Sequence, residues 1–144
     1  MRALVSGTGL IGASVGAGLR RDGWEVVGWD ASPAAVEGAL SMGGIDAAAN
    51  SLEDGLADAD LVVLASPVGA IIDVLDGLST DALVTDVAGV KGPVVRAGRH
   101  LAHFVGGHPM AGRESSGPGA ATAAMFHGAT WILTTDGVDA DDLA

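Results

Sequence analysis

Apolar residues come in short clusters separated by longer stretches of small residues, and the two kinds alternate along the whole chain. Residues 2–6 form a short β-rich run, and residues 9–21 have helical length. Residues 24–29 are a second, β-branched run. Residues 33–42 predict a helix with Pro33 in its first turn, where a missing N–H leaves no bond unmade. Residues 46–49 predict a third strand and 52–57 a short helix. The wholly apolar run at 61–65 reads as a strand covered on both faces. Residues 68–78 then predict a helix, 82–85 a fifth strand, 93–101 a helix and 103–106 a sixth strand, with one more strand at 130–134. Strand and helix in this alternation pair in parallel through right-handed crossovers. The expected fold is α/β and doubly wound, a mainly parallel sheet with helices on both faces.

Two segments depart from the pattern. Residues 107–128 are long, rich in Gly and Ser and only partly periodic; such a stretch in a compact domain is either functional or without fixed structure. Residues 136–144 are acidic. Asp139 suits an N-cap, with Asp141 and Asp142 where first-turn acids are favoured. We therefore expect residues 1–135 to form one domain and 136–144 to begin a linker or helix toward a further C-terminal domain; the other reading is a short acidic tail. Residues 1–19 superficially resemble a secretory leader. They are glycine-rich, however, and Arg20, Arg21 and Asp22 stand where a cleavage site belongs. The apolar stretch at 61–72 is interrupted by Ser66, Pro67 and Gly69 and is too short to span a bilayer. The expectation is a cytoplasmic protein without a membrane partner.

Composition sharpens this picture. The 144 residues allow one domain with a real core. Only 3% are aromatic while glycines number 23, so Ala, Val, Leu and Ile must fill a core of closely approaching backbones. Cysteine is absent, which excludes disulfides and restricts any metal site to His and carboxylates; none is expected. The formal net charge of −11 repels nucleic acid and anionic membranes and argues against both as partners. An anionic small-molecule substrate would need locally placed cations.

The first candidate chemistry follows the first strand. Gly7-Thr8-Gly9-Leu10-Ile11-Gly12 is G-x-G-x-x-G, directly after a strand and opening a helix. Glycines there allow a tight turn and close approach of backbone to a pyrophosphate, and the helix end offers unpaired N–H groups. Asp30 ends the second strand 18 residues beyond Gly12, near the spacing of a carboxylate that holds the adenosine ribose. A ribose diol would hydrogen-bond to it and a 2′-phosphate would be repelled. No Arg follows in Ala31-Ser32-Pro33, so NAD is expected rather than NADP, in a Rossmann-type domain.

The second candidate is a histidine. Of the four, His100 and His103 flank a helix–strand junction and read as surface or capping residues, and His127 has a smaller claim. His108 follows Gly106-Gly107 and precedes Pro109, at the carboxyl end of the sixth predicted strand, the edge where ligands bind in open α/β sheets. Imidazole exchanges a proton near neutral pH. Position alone leaves a catalytic and a structural role equally open.

The surrounding string is more specific. Gly106-Gly107-His108-Pro109-Met110-Ala111-Gly112-Arg113-Glu114, followed by Ser116-Gly117, resembles the signature of the prephenate/arogenate dehydrogenase family. Thr85-Asp86-Val87-Ala88-Gly89-Val90-Lys91 is similar to that family's Thr-Asp-x-x-Ser-Val-Lys strand end. Ala65-Ser66-Pro67-Val68 matches its loop beside the nicotinamide. The resemblance covers residues 1 to about 135. It implies oxidation of prephenate or arogenate with NAD(P), a step of tyrosine biosynthesis. His108 would take the ring hydroxyl proton as hydride and carbon dioxide leave. Ser66, Pro67 and Val68 would lie at the cofactor, and Gly89, Arg113 and Glu114 on the substrate side. Gly89 departs from the family's Ser, whose hydroxyl supports the histidine. Either catalysis is weaker here, or Ser115, Ser116 or a water substitutes. The family also carries a helical C-terminal domain that dimerises it and supplies cations; within this chain only Arg113 and Lys91 stand near the site. Three readings stay open: an NAD-dependent prephenate dehydrogenase, expected as a homodimer; an NAD-binding module without independent catalysis; and a related dehydrogenase of arogenate or an amino-substituted prephenate.

Overall fold

The computed structural model describes residues 1–111 and 117–144. The chain alternates β1 (Arg2–Ser6), α1 (Leu10–Arg21), β2 (Glu25–Trp29), α2 (Pro33–Ser41), β3 (Ala47–Ala48), α3 (Leu52–Leu56), β4 (Leu61–Leu64), α4 (Val68–Gly77), β5 (Leu83–Asp86), α5 (Lys91–Gly98) and β6 (Phe104–Val105). Six strands form one parallel sheet in the order β3-β2-β1-β4-β5-β6. The order reverses between β1 and β4, and a crevice opens at that switch point above the carboxyl ends of the strands.

Neighbouring residues of the central strands serve opposite faces of the sheet. Leu4, Val62, Leu64 and Val84 pack with Ile71 and Leu75 of α4 and Val94 of α5. Ala3, Val5, Val26 and Val63 pack with Ala13 of α1 and Ala39 of α2. A strand with helices on both sides has no polar face, which is why β4 reads as an unbroken apolar run and β1 has three consecutive apolar residues at its centre. Each large aliphatic side chain buried this way contributes about 1.5–3 kcal/mol. Pro33 opens α2 as expected, and Ser32 before it accepts from the Ala35 N–H at 3.4 Å.

The structure corrects the sequence expectation after β6. The strand expected at 103–106 is only Phe104–Val105, and Gly107–Pro109 leaves the sheet as β7. It pairs antiparallel with β8 (Trp131–Leu133), in the stretch expected at 130–134, so that His108 faces Ile132. Gly106 fastens the ribbon: its carbonyl accepts from the Thr134 N–H at 2.8 Å and its N–H donates to Thr134 Oγ1 at 3.0 Å. Residues 118–122, ahead of β8, lie across α1 and α2. There the Thr122 N–H donates to Ser14 Oγ at 3.0 Å, and Pro118 lies so close to Gly38 that a Cβ there would come within 2.5 Å of its ring. The acidic end makes a 3-10 turn, Ala140–Leu143, behind the Asp139 cap. No helix among the described residues is long and apolar enough to cross a membrane.

Candidate active site

The carboxyl ends of β1, β2 and β4 build a cleft of about 370 Å3 lined by Gly7, Trp29, Asp30, Ser66, Pro67 and Asp73, among others. The turn after β1 is drawn tight by contact. Gly7 has φ +96°, and a Cβ on it would overlap the Ala65–Ser66 peptide; a Cβ on Gly12 would overlap the Gly7 carbonyl. Gly9 differs, since nothing of the protein lies within 4 Å of where its Cβ would be. Its bareness serves whatever approaches from the cleft. The first helical bond of α1 is Ala13 N–H to Gly9 C=O at 2.9 Å. The N–H groups of Leu10, Ile11 and Gly12 therefore have no partner within the helix and make an anion-binding end.

Asp30 is locked to this turn. One carboxylate oxygen accepts from the Thr8 N–H at 2.7 Å and the other from the Ser32 N–H at 2.8 Å. Its remaining lone pairs are available to a diol. Thr8, fully buried, builds the turn and does not line the cleft. Leu10, Ile11, Gly12 and Val68 also lie outside the lining, Val68 as the exposed first residue of α4. Ala65, from the loop singled out in the sequence, lines the cleft too, while sequence reasoning missed Trp29, Ala31, Ala70, Asp73 and Val74, which complete the wall. The spacing of 70, 73 and 74 on a predicted helix, i, i+3 and i+4, was the available signal.

His108 stands two strands away, on β7 above the turn that follows β5. Its Nδ1 lies 3.4 Å from the Val87 carbonyl oxygen. A Cβ on Gly89 would sit 3.4 Å from ring Cε1 and 3.6 Å from Nε2, an ordinary contact distance. The ring thus rests on residues 87–89. With the Nδ1 proton given to Val87, Nε2 keeps its lone pair and can act as a base. Across the sheet edge the order is Asp30 at β2, the glycine turn at β1, Ser66 and Pro67 after β4, and His108 above β5.

The other cation and histidine positions resolve differently. Lys91 is bonded to Asp86 and to the Gly107 carbonyl. Arg113, Glu114, Ser115 and Ser116 fall outside the described residues. His100 ties the end of α5 to the Leu78 carbonyl at 3.0 Å, a capping role, and His103 pairs with Asp142 at 3.0 Å. His127 is exposed. No cluster among the described residues could hold a metal ion.

A doubly wound sheet with a bare glycine cradle and a ribose-spaced carboxylate defines a nucleotide-binding domain of Rossmann type. More narrowly, the chain belongs to the family described as prephenate dehydrogenase, nucleotide-binding domain, whose model matches residues 15–144. It is 36% identical over 142 residues to a prephenate dehydrogenase of Bacillus subtilis (strain 168), covering 91% of this chain and 38% of that protein. Among solved structures, the prephenate dehydrogenase of Aquifex aeolicus in complex with hydroxyphenyl propionate and NAD+ superposes with a TM-score of 0.89 at 34% identity, over 99% of this chain and 54% of that one. The Synechocystis arogenate dehydrogenase gives 0.83 at 32% identity, over 99% and 53%. The chain thus spans about two-fifths to a half of the relatives it matches.

Proposed function

We propose that this chain is the NAD-binding, catalytic half of a prephenate dehydrogenase, converting prephenate to 4-hydroxyphenylpyruvate and carbon dioxide. One observation carries the reading: the His108 ring rests at the carboxyl edge beside β4, whose own end walls the glycine cleft. A dinucleotide with its adenosine at Asp30 and its pyrophosphate at the turn would extend its nicotinamide toward that ring. Bound NAD supplies the hydride acceptor. His108 Nε2 would take the proton from the substrate's ring hydroxyl as hydride leaves the same carbon. Decarboxylation then aromatises the ring, so the protein mainly orients its reactants and moves one proton. Asp30 favours NAD over NADP because a 2′-phosphate would meet a carboxylate already fixed by two amides. Ser66, Pro67 and Val68 belong to the nicotinamide end, and Gly89, Arg113 and Glu114 to the substrate side. The cytoplasmic setting and homodimeric assembly expected from the sequence belong to this reading as well.

Assay of the chain with NAD and prephenate, following NADH, tests it. His108→Asn should lower turnover by about 10²-fold or more while NAD binding, read from Trp29 fluorescence, holds. Unchanged turnover would remove His108 from the chemistry. A second reading, an NAD-binding module that depends on further protein for catalysis, is favoured by the engagement of Lys91 with Asp86. A dicarboxylate substrate then finds no unpaired cation at the ring among the described residues. Tight NAD binding without NADH would select it. Arogenate, offered beside prephenate, separates the remaining substrates.

A further inference from the structure

We infer that Asp86 and Lys91 form a positioning pair for the His108 imidazole, an inference that rests on the proposed role of that ring as base. Asp86 ends β5 and is fully buried. One of its carboxylate oxygens accepts from the Gly107 N–H at 3.1 Å. The other accepts from the Ala88 N–H at 2.8 Å and from the Lys91 ammonium. Lys91 also donates to the Gly107 carbonyl. Both peptide groups flanking Gly107, the residue before His108, are therefore gripped by this pair.

The same carboxylate shapes the turn on which the ring lies. Its bond to Ala88 folds residues 86–89, which present the Val87 carbonyl to Nδ1 and the bare Gly89 to the ring edge. The strand that carries the imidazole and the turn that receives it thus share one anchor. Space is also committed: a Cβ on Gly107 would lie 2.7 Å from the Asp86 carbonyl and 2.8 Å from Trp131 Nε1. A buried ion pair is a poor device for stability alone, because well-packed neutral residues serve as well or better. Its strength lies in directed, charge-assisted bonds, and here every such bond leads to His108 or to its rest.

The test separates positioning from folding and from the chemistry. Lys91→Met leaves the buried Asp86 carboxylate unmatched and Asp86→Asn leaves the half-buried Lys91 ammonium unmatched, and each destabilises the chain, so the deciding variant is the double change, which leaves no uncompensated charge. In the 15N-histidine-labelled chain, NMR of the ring nitrogens should show His108 of the parent as one tautomer with its proton on Nδ1. In the folded double variant the two nitrogens should average toward equivalence, with NAD affinity kept. Turnover with prephenate should fall about 10²-fold at unchanged KM, the scale of a small misplacement. A parental ring signature in the folded double variant would overturn the proposal. Averaged nitrogens with parental turnover would leave the positioning intact and refute His108 as base. If the parent chain makes no NADH, the ring signature still decides the matter.

Discussion

Asp30 enters the cleft with both oxygens already holding backbone amides. It is pre-oriented, and a ribose diol gains bonds to a charged acceptor without first having to order it. Such bonds contribute about 1.5–3 kcal/mol each. Asp30→Asn keeps the shape and removes the charge, so NAD affinity should fall by roughly tenfold to a hundredfold. NADP should lose far less, since the repulsion of its phosphate disappears. Fluorescence titration with both cofactors checks this, and equal losses would take the discrimination away from Asp30. The places of Asp30 at the cleft and of His108 at the carboxyl edge of the sheet were legible in the sequence because each sits in a local string that dictates its geometry. Trp29 and Asp73 were missed because the cleft wall is assembled from β2 and α4, distant in the chain; helical spacing groups 70, 73 and 74 on one face without saying what that face meets. Lys91 was legible as a cation only; that its ammonium is held by Asp86 and Gly107 is a fact of the turn's folding.

Among the elements, α4 has two occupations. Ile71 and Leu75 are fully buried against β1 and β4, while Ala70, Asp73 and Val74 line the cleft. Core packing therefore sets one wall of the cleft. Ile71→Ala should cost about 2–5 kcal/mol in urea unfolding, from lost burial plus the cavity left behind. A loss within about 0.5 kcal/mol, as surface changes give, would show that α4 is not held by this face. β4 was readable since two buried faces leave a continuous apolar run, and β1, β2 and β5 by shorter apolar stretches of the same origin. Of the β7–β8 ribbon, β8 was read at 130–134, but β7 and its antiparallel pairing were not. Gly107-His108-Pro109 has poor strand propensity, and its partner lies beyond the intervening 110–130 stretch. What makes it a strand is the grip on Gly106 and Gly107 by Thr134, Asp86 and Lys91, which no local pattern announces.

For the molecule as a whole, charge works against its proposed ligands. Seven Lys and Arg face eighteen Asp and Glu, and Asp30 and Asp73 both line the cleft. Among the described residues the attraction on offer is the end of α1, equivalent to about half a positive charge and effective only within its first turn. At long range the field should repel an anionic cofactor; at contact the cradle should hold it. Salt separates the two regimes, because the screening length is about 30 Å at about 0.01 M and about 8 Å at about 0.15 M. The association rate of NADH, measured by stopped-flow energy transfer from tryptophan, should rise severalfold across that interval, the reverse of a cationic site that steers its ligand in. The dissociation rate should change less, since it reports contacts within the cradle. A rate that falls with salt would mean that local cations, not the net −11, govern the approach. The lack of an unpaired cation at the ring among the described residues would then cease to favour the binding-module reading.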